Sequence, residues 1–144
     1  FPKDIEDLYI IKHYSGMLRH TAIDCHDLRD VLTDKHLYQL RKAKQIYLNG
    51  CTLITDAGIS LLSGVQVIDL EGTRVTDKGL KALAGVHSID LSECTDITDV
   101  GLGYLAGVHQ IDLSYCPNIT DSGIASLGTV HTIDVSGCKQ VTVE

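Results

Sequence analysis

The chain has 144 residues, is 44% hydrophobic with one Phe and no Trp, and carries a net charge of −7. That length defaults to one domain, whose core must be aliphatic. The charge is uneven: residues 1–44 hold 8 Lys/Arg against 7 Asp/Glu, and residues 45–144 hold 4 against 12. Such a balance excludes the basic stripe that nucleic acid calls for and favours a basic or polar protein partner.

In chain order, residues 1–19 match nothing that follows. Ile5, Leu8 and Ile11 sit three apart, which predicts a helix from about Asp4 to Tyr14, N-capped at Asp4 and stopped by Ser15-Gly16. From residue 20 a unit of about 22 residues repeats, with copies at 20–44, 45–64, 65–85, 86–107, 108–129 and, without a helix, 130–144. Leu48, Leu70, Leu91, Leu113 and Val135 mark its period. The fullest copy is Val86–Asp99, VHSIDLSECTDITD, repeated as Val108–Asp121, VHQIDLSYCPNITD. Its I-D-L core alternates in-out-in, as a short strand does. The following I-T-D-x-G-L-x-x-L reads as a turn and a short helix. Thr98 or Asp99 caps it, Leu102 and Leu105 form its buried face, and Gly107 ends it in a left-handed conformation. Gly64, Gly85 and Gly128 stand in the place of Gly107. Residues 20–44 are a degenerate first copy, with Leu28 where later copies have cysteine and a basic helix end at Arg41, Lys42 and Lys44. That basic cluster reads as a solvated helix end opposing the helix dipole.

At Cys51, Cys94, Cys116 and Cys138, and at the Ile-Thr-Asp runs 54–56, 97–99 and 119–121, the chain resembles leucine-rich repeats of the cysteine-containing subclass, best known from F-box/LRR proteins. The resemblance covers about residues 20–144. Its repeats, near 22 residues, are shorter than the roughly 26 usual there. It implies an α/β solenoid, right-handed, with a short parallel sheet on the concave side and short helices on the convex side. The domain reading is a capping helix over 1–19 and a leucine-rich repeat domain over 20–144, of about five repeats with the last incomplete. The rival for residues 1–19 is the tail of an F-box.

Three constellations could carry chemistry. Asp69, Asp90, Asp112 and Asp134 recur between the two core residues of each strand; Asp24 and Tyr47 hold the same place in the first two copies. On a parallel stack they stand about 4.8 Å apart and repel by about 0.8 kcal/mol per pair in water. Hydroxyls at Ser88, Ser92, Ser114, Thr132 and Ser136, the amide of Gln110, or a bound basic segment would offset this. The rival reading is a solvated strand residue copied by repeat duplication. His87, His109 and His131 form a second column, read as bonding loop backbone or water, with pairing to the Asp ladder as the alternative. An extended strand separates His87 from Cys94, too far for one shared zinc ion. The cysteines themselves read as inert, reduced ladder thiols: five is an odd count and no C-x-x-C occurs.

The expectation is therefore a non-enzymatic protein-binding module with no cofactor and no metal. Its contact residues point outward from the strands and their exits: Tyr47, Asn49, Asp69, Glu71, Asp90, Ser92, Glu93, Asp112, Ser114, Tyr115 and Asp134. Tyr47 and Tyr115 are the aromatic anchors. By resemblance, the module is the substrate-recognition part of an F-box-type ubiquitin ligase, reaching a Skp1-like adaptor through sequence outside this chain. The alternatives are a stand-alone scaffold or a pathogen or viral effector and, more remotely, a thiol or metal enzyme. Reduced cysteines suggest the cytoplasm or nucleus. No run is long and apolar enough to cross a membrane.

Overall fold

The structure, a computed structural model, describes residues 22–142. The expected capping helix over 1–19, and its F-box rival, lie outside them. Within them six strands alternate with five short helices. The strands are β1 (Ile23–Asp24), β2 (Gln45–Tyr47), β3 (Val67–Asp69), β4 (Ser88–Asp90), β5 (Gln110–Asp112) and β6 (Thr132–Asp134). The helices are α1 (Asp34–Leu37), α2 (Asp56–Ile59), α3 (Asp77–Lys81), α4 (Asp99–Gly103) and α5 (Asp121–Ala125). The strands form one parallel sheet in sequence order.

Register follows the repeat. Ile23, Ile46, Ile68, Ile89, Ile111 and Ile133 pair along the stack, and so do Asp69, Asp90, Asp112 and Asp134. A slip by one residue would turn the isoleucines out and the carboxylates in, so burial pins the alignment. Each rung buries an aliphatic layer, for example Val86, Ile89, Leu91, Ile97, Leu102 and Leu105 in the fourth repeat. Behind the strands the cysteines make their own ladder. Cys94, Cys116 and Cys138 each donate Sγ–H to the carbonyl of the preceding repeat's Leu70, Leu91 and Leu113, at 3.1, 3.1 and 2.9 Å. Thr73 stands in the same ladder but turns its hydroxyl onto its own repeat, at Leu70 O, 2.8 Å.

The helices are joined from repeat to repeat through their N-termini. Thr33, Thr55, Thr76, Thr98 and Thr120 are the N-cap residues. The Asp after each threonine reaches forward to the next repeat instead of capping its own helix. Asp77 accepts both the backbone N–H (2.8 Å) and the hydroxyl (2.6 Å) of Thr98. Asp34 binds Thr55, Asp56 binds Thr76, Asp99 binds Thr120 and Asp121 binds Thr142 in the same two-pronged way. The glycine two residues after the Asp makes room for the preceding carboxylate. A Cβ at Gly58, Gly79, Gly101 or Gly123 would meet an aspartate Oδ1 at 2.2 to 2.5 Å.

One expectation is corrected. Gly64, Gly85, Gly107 and Gly128 do not end the helices in a left-handed conformation. The helices stop earlier, at right-handed C-caps such as Tyr104, and the chain leaves through turns such as Val108 N–H to Leu105 O that need no positive φ. Left-handed residues occur at the other end of the repeat, directly before the cysteine ladder: Gly50, Gly72, Glu93, Tyr115 and Gly137.

Candidate functional site

The exposed edge atoms of β2 to β6 form a groove of about 430 Å³, lined on one side by Tyr47, Asp69, Asp90, Asp112 and Asp134 and on the other by Val67, Ser88, Gln110 and Thr132. Each strand aspartate is held by its own turn. Oδ1 of Asp69, Asp90, Asp112 and Asp134 accepts the N–H two residues on, from Glu71, Ser92, Ser114 and Ser136, at 2.8 to 2.9 Å. Asp24 does the same with His26. This local bond explains why the repeat carries Asp here: the side chain ends the strand and satisfies a turn donor.

The electrostatics differ along the ladder. Asp69 is half-buried, and that burial, with Asp90, Glu71 and Asp112 nearby, pushes its carboxyl up to about 6. Burial also raises Glu71, aided by Asp90, Glu93 and Asp112. Asp134, at the exposed end, is lowered, because the hydroxyl and N–H of Ser136 and the hydroxyl of Ser114 donate to its carboxylate. The columns flanking the ladder, Val67-Ser88-Gln110-Thr132 and Glu71-Ser92-Ser114-Ser136, contain no Lys or Arg. Asp69, Glu71 and Asp90 bring oxygens within 4.8 Å of one another. All three come from one face of the sheet, so they attract a cation without enclosing one.

The structure therefore gathers Tyr47, Asn49, Asp69, Glu71, Asp90, Asp112 and Asp134 on or beside the concave face, with Glu93 and Tyr115 exposed at the strand exits. Ser92 and Ser114 are corrected: each is only 8% exposed. Their hydroxyls turn onto the carboxylates of Asp90 and Asp134, where they lower repulsion within the ladder instead of meeting a partner.

Glu93 and Tyr115 carry a feature that reasoning from charge alone missed. Both have φ 60, in adjacent repeats, at a position where Gly50, Gly72 and Gly137 take the other places. A side chain in that region costs of order 1 kcal/mol or more and persists only where the surrounding structure holds it there. The Tyr115 ring is 62% exposed yet lies across Gly137, where an added Cβ would meet it at 2.4 Å. The glycines of the other copies are the signal that would have exposed it. We expect Glu93→Gly to stabilise the fold by about 0.5–1 kcal/mol, because glycine takes this conformation without strain. Chemical denaturation reads the gain directly, and a loss of stability would show that the Glu93 side chain is held by its surroundings.

A family model described as a leucine-rich repeat matches residues 65–84, 86–106 and 108–128. No curated protein matches the chain. Among solved structures, a TLR13–ssRNA13 complex aligns with a TM-score of 0.60 at 18% identity, covering 79% of this chain and 18% of that one. Rad7, from a yeast Rad7–Elc1 complex, aligns with a TM-score of 0.58 at 16% identity, covering 81% of this chain and 42% of that one. The chain thus spans less than half the length of either structure, and the likeness is one of fold. Together with the six-stranded sheet, these matches define an α/β leucine-rich repeat solenoid. Its repeats mark it as a protein-interaction module.

Proposed function

We propose that the concave groove holds a basic segment of a partner protein. The observation that carries this is the register-aligned row Asp69-Asp90-Asp112-Asp134, turned to one groove with no cation in the columns beside it. Charge gathered at this density raises the local concentration of a cationic partner and speeds its association. Tyr47, beside Asp69 at one end of the row, and Tyr115, at the exit of β5, supply aromatic faces for its Lys or Arg side chains. The strain held at Glu93 and Tyr115 supports the same surface.

The experiment replaces Asp69, Asp90, Asp112 and Asp134 together by Asn and compares capture from lysate at low and moderate salt. Asparagine keeps the Oδ1 acceptor that each turn needs, so the fold stays and only the charge goes. Basic proteins captured by the wild type, released by salt and lost in the variant are the expected result. Equal capture by both proteins would remove the groove from consideration.

Within this reading the chain is the substrate-recognition part of an F-box-type ligase. The support is the resemblance at Cys51, Cys94, Cys116 and Cys138 and in the Ile-Thr-Asp runs. A Skp1-like adaptor recovered with the full-length parent protein is the expected result; its absence favours a stand-alone scaffold or effector. The module acts without catalysis. Burial pushes the thiols of Cys25, Cys51 and Cys116 up to about 12 and that of Cys94 to about 11, which suits inert ladder groups and a reducing compartment such as the cytoplasm or nucleus.

A further inference from the structure

The histidine column does something other than pair with the aspartates. His87, His109 and His131 stand directly before β4, β5 and β6, tied rung to rung by His109 N–H to His87 O (2.9 Å) and His131 N–H to His109 O (2.8 Å). Their rings stack: the centroids of His87 and His109 are 4.7 Å apart, and those of His109 and His131 are 3.9 Å apart. Among the described residues, neither ring of His87 or His109 hydrogen-bonds to a protein group. Nδ1 of His131 lies 3.1 Å from the Thr129 carbonyl. A carbonyl only accepts, so the proton sits on Nδ1 and the Nε2 lone pair of His131 is left open. This is the carbonyl-to-imidazole support that orients histidine ligands at metal centres.

We propose that adjacent imidazoles of this column, with His109 as the shared ligand, bind a divalent ion of the zinc, nickel and copper class. Imidazole is the ligand type these ions favour. Two imidazoles on one ion, with bonds of about 2.0–2.1 Å, place their ring centroids roughly 4.5–5 Å apart. The His87–His109 pair, at 4.7 Å, already stands at that spacing, and the His109–His131 pair, at 3.9 Å, has to open to reach it. Binding requires neighbours to turn out of their near-parallel arrangement, 13° and 27° apart, because face-to-face rings do not aim their lone pairs at one point. Water completes the coordination. The buried cysteines, which hydrogen-bond to backbone carbonyls behind the sheet, take no part.

The test titrates untagged protein with Zn²⁺ by calorimetry at pH 7.5 and pH 5.5, and follows the imidazole signals by NMR. The wild type should take up Zn²⁺ at pH 7.5 and lose it at pH 5.5, because protons compete with the ion for imidazole nitrogens. His109→Asn should abolish uptake. His87→Asn and His131→Asn should each retain it, because one adjacent pair remains, and the double variant should lose it. Unchanged thermal melting of the variants separates lost ligation from lost folding. Absence of uptake by the wild type would overturn the proposal. So would uptake that survives in His109→Asn, which would locate the ion elsewhere, for instance at Asp69, Glu71 and Asp90.

Discussion

Gly101→Ala is expected to destabilise the protein by about 2–3 kcal/mol, although alanine is the better helix former by about 1 kcal/mol. The new Cβ would lie 2.4 Å from Asp77 Oδ1 and 2.8 Å from Leu80 Cδ1. Asp77 would have to swing away from Thr98, losing its bonds to both the N–H and the hydroxyl of that residue. Hydrogen bonds to a charged group contribute about 1.5–3 kcal/mol each. Overpacking against Leu80 adds to the loss, and the gain in helix propensity offsets part of it. Gly103→Ala, two residues on in the same helix, meets nothing within 4 Å and should be neutral or slightly stabilising. Urea melts of the two variants side by side are the check. Equal stabilities would mean that the Asp-to-Thr ladder does not couple the repeats. Because a solenoid's stability sums over neighbours, hydrogen exchange in Gly101→Ala should speed most at the junction of the third and fourth repeats.

Asp69→Asn should stabilise the protein at pH 7.5 by about 1 kcal/mol and leave it unchanged near pH 4. The Asp69 carboxyl is raised from 3.8 to about 6 in the folded protein. The folded state therefore binds the proton more tightly than the unfolded state. The stability that goes with it is complete below pH 3.8 and is lost as pH rises through about 6. The bare shift is worth about 3 kcal/mol, but the residue is partly exposed and solvent screens it. Asparagine keeps the acceptor for the Glu71 N–H and carries no charge, so the variant escapes the loss above pH 6. Melting curves across pH 4 to 8 for both proteins test this. A difference that does not grow with pH would show that Asp69 is fully solvated. In the proposed reading, a Lys or Arg of a partner would restore at neutral pH what the ionised ladder gives up.

The period of Leu48, Leu70, Leu91 and Leu113 and the in-out-in alternation of I-D-L already imply a parallel stack. Local pattern decides them: a side chain's face along a strand depends only on its position within the repeat. The carboxylate row was legible for the same reason, because equal positions in equal units must align. What no single repeat contains is the meaning of the T-D-x-G run. Within one unit, Asp77 looks like a helix cap and Gly79 like a weak helix residue. Only the next rung shows that Asp77 serves Thr98 and that Gly79 clears space for Asp56. The inward turn of Ser92 and Ser114, and the left-handed backbone at Glu93 and Tyr115, also wait on the turn that packs one loop onto the next. The fold class, the repeat length and the acidic face thus follow from the order of residues alone, since each depends on local pattern. The coupling between repeats, the exposure of each groove residue and the stacking of three histidines were decided by tertiary structure, because each depends on groups about 22 residues apart meeting in space.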